Sequence, residues 1–336
     1  MNHGLNFFTN AVDKTPAAGS WQTVDVSANG VPAGASGVIL DIHNTHGSTI
    51  YKADVRKKGS SDDDYANGKI AATNAGPSHK YAMVGIDGNR QFEAYIENAT
   101  YIKIWLVGYT GDGVVYFLNK KGYQMGTTIT WVDINPSADV PAGATGVIMK
   151  IINTATASYK GSVRKNGSSD DDNATSNILA NASIWAMCGV DADRLLEGYI
   201  GNTLVDHYLV GYFSSTSKVI FKTNWVDKTL AGTGWQDLDL TADTSAIADG
   251  AIFRLRQGAG AARDEIRKKG SGDDRNASAV IASTCHVWAL TGLDADQVCQ
   301  TYCSDMTFAK FYLMAYHDPV VVPTVTTQAA SGLGLD

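Results

Sequence analysis

Acidic residues gather at three places behind the same basic pair. Asp62, Asp63 and Asp64 follow VRKKGSS, Asp170, Asp171 and Asp172 follow VRKNGSS, and Asp273 and Asp274 follow IRKKGSG. Clustered carboxylates offer the hard oxygens that calcium prefers. The six that recur in every run, Asp62, Asp63, Asp170, Asp171, Asp273 and Asp274, are the candidate ligands of a structural calcium ion. The spacing and distal glutamate of an EF-hand are absent. Solvated turn carboxylates, or partners for Arg56, Arg164, Arg267 and the lysines beside them, account for the runs more simply. No other cofactor is expected.

A second recurring carboxylate is Asp87, Asp191 or Asp294, directly after VGI, CGV or TGL. With Arg90 and Arg194 nearby, it is expected to form a carboxylate–guanidinium pair that fixes a turn. The third copy has Gln297 in place of that arginine and Gln300 in place of Glu93 or Glu197. A catalytic acid/base pair would have lost its charge there, so a structural role is expected and no enzymatic activity.

Cys285, Cys299 and Cys303, with His286, have the look of a metal set, but Cys299 aligns with Phe92 and Leu196, and Cys303 with Ile96 and Ile200. These are apolar strand positions, and cysteine packs well in a core. Cys188 is the fourth thiol, and all four are expected to be reduced. His79 and His286 align, with Ser183 between them in the series, and no nucleophile partner is evident. HExxH, G-x-S-x-G and a phosphate-binding glycine loop are missing.

The elements that carry these residues repeat three times. WQTVDVSANGVPAGASGVILDIHN from Trp21 is matched by WVDINPSADVPAGATGVIMKIIN from Trp131, with a one-residue difference in early spacing. The third copy, WQDLDLTADTSAIADGAIFRLRQ from Trp235, lacks the Pro-Ala-Gly-Ala turn. IWLVGY, HYLVGY and FYLMAY close the copies in the same order. Self-similarity of this length means a repeat architecture. Phe7, Phe117 and Phe221 each lie 14 residues before a module-opening tryptophan, so a strand precedes every copy.

Short β-branched runs such as Gly37–Asn44, bounded by glycine and proline turns, predict strands. Seven or eight strands per copy, in two packed sheets, are expected. The predicted fold is all-β, three tandem β-sandwich modules each with its own core; residue types do not separate jelly-roll from immunoglobulin-like order, and the jelly roll is the preferred expectation. Boundaries fall at 1–112, 113–216 and 217–318, followed by an extended tail at 319–336. Trp21, Trp131 and Trp235 are expected to pack in the core or between sheets.

The 336-residue chain has a formal net charge of -7, which argues against a phosphate-binding face and hence nucleic acid. MNHGLNFFTN lacks a basic segment followed by an apolar one, and no apolar run reaches spanning length, so neither a signal peptide nor membrane insertion is expected. Synthesis in the cytoplasm is expected.

In the combination VPAGAxGV, VRKxGSSDD and LVGY, the chain resembles repeated β-domains of phage-type and environmental structural proteins. The resemblance spans nearly the whole chain and carries no catalytic residue. It implies a virion structural protein, as capsid decoration or a tail or fibre component, that self-associates and contacts other particle proteins. The alternative expectation is a soluble multivalent carbohydrate-binding protein.

Overall fold

The computed structural model describes residues 3–73, 78–126, 128–171 and 176–319. The extended C-terminal tail expected at 319–336 lies, beyond residue 319, outside the described residues.

The first repeat holds β1 (Leu5–Asp13), β2 (Gln22–Asp25), β3 (Gly37–Asn44), β4 (Tyr51–Lys57), β5 (Lys69–Ile70), β6 (His79–Gly85), β7 (Gln91–Ile96) and β8 (Ile102–Thr110). The second holds β9 (Val114–Tyr123), β10 (Trp131–Ile134), β11 (Ala144–Asn153), β12 (Tyr159–Lys165), β13 (Asn177–Ile178), β14 (Ala182–Gly189), β15 (Leu196–Ile200) and β16 (Val205–Ser214). The third holds β17 (Val219–Asp227), β18 (Gly234–Asp239), β19 (Gly250–Gln257), β20 (Ala262–Lys268), β21 (Val280–Ile281), β22 (His286–Gly292), β23 (Val298–Cys303) and β24 (Ala309–His317).

They form six antiparallel four-stranded sheets, two per repeat. In the first repeat the orders are β1-β8-β3-β6 and β2-β7-β4-β5, and the other repeats follow the same pattern. The chain therefore crosses between the two sheets of a repeat at every connection except β4 to β5. Unlike a blade wound from consecutive strands, each sheet interlaces with its partner.

The first strand of each repeat reaches beyond its own sheets. β1 pairs with β8 through Phe7↔Gly108, then resumes at Val12↔Leu106, so four residues bulge out. The same shift separates Tyr116 from Lys121 in β9 and Phe221 from Val226 in β17. The aromatic just before each bulge covers glycines of a different repeat. A Cβ on Gly85 would lie 2.6 Å from Tyr116 Cβ, one on Gly189 2.6 Å from Phe221 Cβ, and one on Gly292 2.8 Å from Phe7 Cβ. Side chains at these glycines would leave no room for the ring. Repeat 2 thus packs on repeat 1, repeat 3 on repeat 2, and repeat 1 on repeat 3. The ring closes.

Strands β6, β14 and β22 meet pairwise at the centre, around a pseudo-threefold axis. All seven residues of β6 and of β22, and all eight of β14, are buried. A continuous apolar cluster runs through all three repeats, from Leu5 to Ala315.

The expectation of three separate tandem β-sandwich modules, each complete on its own core, is corrected by this arrangement, although the eight strands of each repeat do alternate between two sheets in the order expected of a jelly roll. Six four-stranded sheets, two per repeat, form a single closed body, with β6, β14 and β22 at its pseudo-threefold axis. The physical reason is the glycine-bearing face of each repeat, over which an aromatic from the next repeat lies. The repeat alignment is also corrected: Tyr116, not Phe117, occupies the place of Phe7 and Phe221.

Candidate functional site

Outward-facing β-sheet positions bring one constellation together three times. Trp21, Trp131 and Trp235 stand at the start of the short outer strands β2, β10 and β18, just before the first strand, first in the second and second in the third. Each is half-buried, not a core residue as expected. A tyrosine of the neighbouring strand lies beside it: Tyr95, Tyr199 and Tyr302 have ring centroids 6.0, 5.5 and 5.5 Å away. A guanidinium from the next strand sits over each indole, with Arg56, Arg164 and Arg267 at 4.1, 4.3 and 3.8 Å from the ring centre.

Glu93 and Glu197 hold their arginines at 2.8 Å, and Gln300 takes the same place at 3.0 Å. Thr23, Asp133 and Asp237 stand exposed beside them. In the first repeat Tyr65 widens the aromatic platform, 4.3 Å from Tyr95.

The acidic runs serve this site and the seams between repeats. The second aspartate of each, Asp63, Asp171 or Asp274, accepts the indole N–H of Trp21, Trp131 or Trp235 at 2.9, 3.1 and 3.3 Å. The first aspartate accepts a backbone N–H from the bulge of the next repeat: Asp62 from Lys120 at 2.9 Å, Asp170 from Trp225 at 2.8 Å, and Asp273 from Ala11 at 2.8 Å. Asn119, Asn224 and Asn10, at the bulge tips, accept from the backbone N–H of Ser61, Ser169 and Gly272 at 2.8, 2.9 and 2.8 Å. Sequence reasoning missed these asparagines, although each sits three residues after its covering aromatic.

The turn aspartates act differently from the expectation. Asp87 Oδ1 accepts from the N–H of Asn89 and Gln91, both at 2.9 Å, while Arg90 donates to the carbonyls of Ser27 and Val31 at 3.3 and 3.0 Å. Arg90, Arg194 and Gln297 all have positive φ, near 62°, 67° and 57°. The turn is fixed by Asx-type backbone bonds, with the arginine bracing a separate loop.

Each seam buries its own charge set, at positions where the repeats differ. Asp41, Lys150 and Arg254 are equivalent, in the centres of β3, β11 and β19. Lys150 donates to both oxygens of Asp54 at 2.8 Å and to Asp64 at 3.1 Å. Burial lowers the Lys150 pKa, but the two carboxylates outweigh it and raise the value. Arg254 donates to Ser176 Oγ at 2.9 Å, with its guanidinium 4.6 Å from the Trp225 ring centre.

At the closing seam, between repeats 3 and 1, Arg275 Nε approaches Asp41 Oδ2 at 3.2 Å. His43 Nε2 meets the same oxygen at 2.7 Å, and His43 Nδ1 lies 2.9 Å from Ser278 Oγ. His79 Nδ1 is 3.9 Å from Asp41 Oδ1. The ligand atoms of Asp41, His43 and His79 lie within 4.8 Å of one another, and all three residues are buried. This cluster could hold a metal ion, and among the described residues it is where three such groups converge.

All four cysteines are buried and unpaired. Burial pushes the Cys285 thiol up to about 12 and the other three higher still. Cys303 faces an unusual neighbour, Asp264, where the other repeats have Ala53 and Gly161. Burial pushes Asp264 up to about 7, although contacts to Cys303 and Gln257 oppose it and Asp305 adds to it. Gln257 Nε2 donates to Asp264 at 2.6 Å.

An acid whose folded pKa is raised favours folding below its unfolded pKa and loses that contribution as pH rises to the folded value. Stability is therefore expected to fall between about pH 4 and pH 7, by roughly 4 kcal/mol from this group. Asp264→Asn should flatten that slope in urea unfolding across this range. A slope equal to that of the wild type would exclude Asp264 as its source.

Compared with known proteins, the chain matches no family model and no curated protein. Among solved structures, a chain from "X-ray structure of the entire lipid-containing bacteriophage PM2" aligns over 92% of this chain and 100% of its own, at 10% identity. Its TM-score is 0.14, too low to carry an argument about fold or role. Among the described residues, no helix is long and apolar enough to cross a membrane.

Proposed function

We propose that the chain is a non-catalytic, trivalent carbohydrate-binding body. The observation that supports this reading is the half-buried tryptophan with its tyrosine, arginine and aspartate, set out three times around one axis. An indole held by its N–H and backed by a guanidinium is oriented before any ligand arrives, which lowers the ordering cost of binding. Aromatic rings suit the C–H faces of sugars, and the flanking Thr23, Asp133, Asp237, Glu93, Glu197 and Gln300 suit hydroxyl groups. Three sites on a rigid frame give avidity to a repeating polymer, by about 10²–10⁴ over one site when the spacing allows simultaneous binding. A place in a virion lacks comparable support at the level of residues.

Affinity electrophoresis through a panel of soluble polysaccharides tests the proposal. The wild type should be retarded by at least one polymer, and the combined Trp21→Ala, Trp131→Ala and Trp235→Ala variant should migrate freely while keeping its circular dichroism. Single variants should retain partial binding. Retardation unchanged in a folded triple variant, or none for the wild type across the panel, would overturn the reading.

A further inference from the structure

The closing seam has a composition that the other two lack. All three potential ligands belong to repeat 1: Asp41 and His43 on β3, and His79 on β6. Repeat 3 provides the groups behind them. Asp41 Oδ1 and both ring nitrogens of His79 are buried without a hydrogen-bond partner. Asp41 and His79 are 0% and 1% exposed. Unsatisfied buried polar atoms are costly, and a bare Asp41 Oδ1 facing a bare His79 Nδ1 at 3.9 Å needs an explanation.

We propose that Asp41, His43 and His79 bind a divalent transition metal, zinc by preference, on the face of repeat 1 that repeat 3 covers. Two imidazoles and one carboxylate suit zinc and its neighbours, whereas calcium takes oxygen ligands. Arg275 already occupies Asp41 Oδ2, which leaves Oδ1 for the ion. Ligation through His43 Nε2 requires the tautomer with its proton on Nδ1, and Ser278 Oγ stands 2.9 Å away to accept it. His43 then exchanges its bond with Asp41 Oδ2 for the metal. Both supporting groups, Arg275 and Ser278, come from repeat 3, so the site is complete only when the ring is closed. In repeat 2 the positions of Asp41, His43 and His79 are Lys150, Ile152 and Ser183, which cannot form this set.

The site is enclosed, so metal should enter during folding. The full chain refolded with zinc sulfate and then desalted should retain one equivalent by elemental analysis. Refolding with cobalt(II) should give visible d–d bands. His79→Ser and His43→Ile install residues that the sister repeat already accepts, and each should abolish both signals in a protein with wild-type circular dichroism. Ser278→Ala should weaken retention about 10–100-fold, since it removes a partner of a ligating imidazole. Wild-type protein that retains no more zinc than the His79→Ser/His43→Ile double variant would overturn the proposal. So would cobalt bands that persist unchanged in that variant.

Discussion

Lys150→Met is expected to destabilise the protein by about 3–5 kcal/mol, read as a fall in the urea midpoint. Lys150 is 3% exposed, and its ammonium is the partner of Asp54, itself 1% exposed. Removing the cation leaves a carboxylate in a medium that cannot hydrate it. Asp64 suffers less, because Lys120 also pairs with it. Adding Asp54→Leu to Lys150→Met should restore most of the loss, since an apolar pair of similar volume avoids the uncompensated charge. If the double variant is as unstable as the sum of the single changes, the two residues are not coupled and the seam is misassigned. The pair also bears on order: Lys150 of repeat 2 facing Arg275 of repeat 3 would put like charges together, so each seam selects its own neighbour.

The covering aromatics should produce an effect of similar size, and it should appear away from the substitution in sequence. Phe221 is 8% exposed and lies over Gly146 and Gly189 of the preceding repeat. Phe221→Ala is expected to cost about 3–5 kcal/mol, as truncation of a buried phenylalanine usually does. Phe7 is only half-buried and should cost less, but it covers Gly250 and Gly292, more than 240 residues along the chain. Its loss opens the one seam that no covalent linker bridges.

Much of the body could be read from residue types alone. Alternation and β-branched runs located the strands, and comparison of the three copies placed Cys299 and Cys303 at buried positions. The closed ring was harder to see, because a buried strand pattern does not say which neighbour covers it. Asp41, Lys150 and Arg254 did carry a signal: each is a charge that directly follows an apolar run in a strand, VIL, VIM or AIF. Such a charge needs a partner, but the partners across the seams, Asp54 for Lys150, Ser176 for Arg254 and Arg275 for Asp41, lay 96, 78 and 234 residues away. Trp21, Trp131 and Trp235 were misplaced for a related reason. A recurring tryptophan satisfies a core or a binding face equally well until its neighbours are known, and here they are an arginine and an aspartate on the outer sheet. The acidic runs were legible as polar loops, but not as the acceptors of the bulge that follows each repeat.

Hydrogen exchange of Phe7→Ala, followed peptide by peptide, tests the closed ring most directly. Exchange reports local opening, so a broken seam should be visible even where the global fold persists. The ring requires faster exchange in repeat 3, across β20 and β22, as well as in β1, with β12 and β14 of repeat 2 little changed. Faster exchange confined to repeat 1, with β20 and β22 as protected as in the wild type, would contradict it.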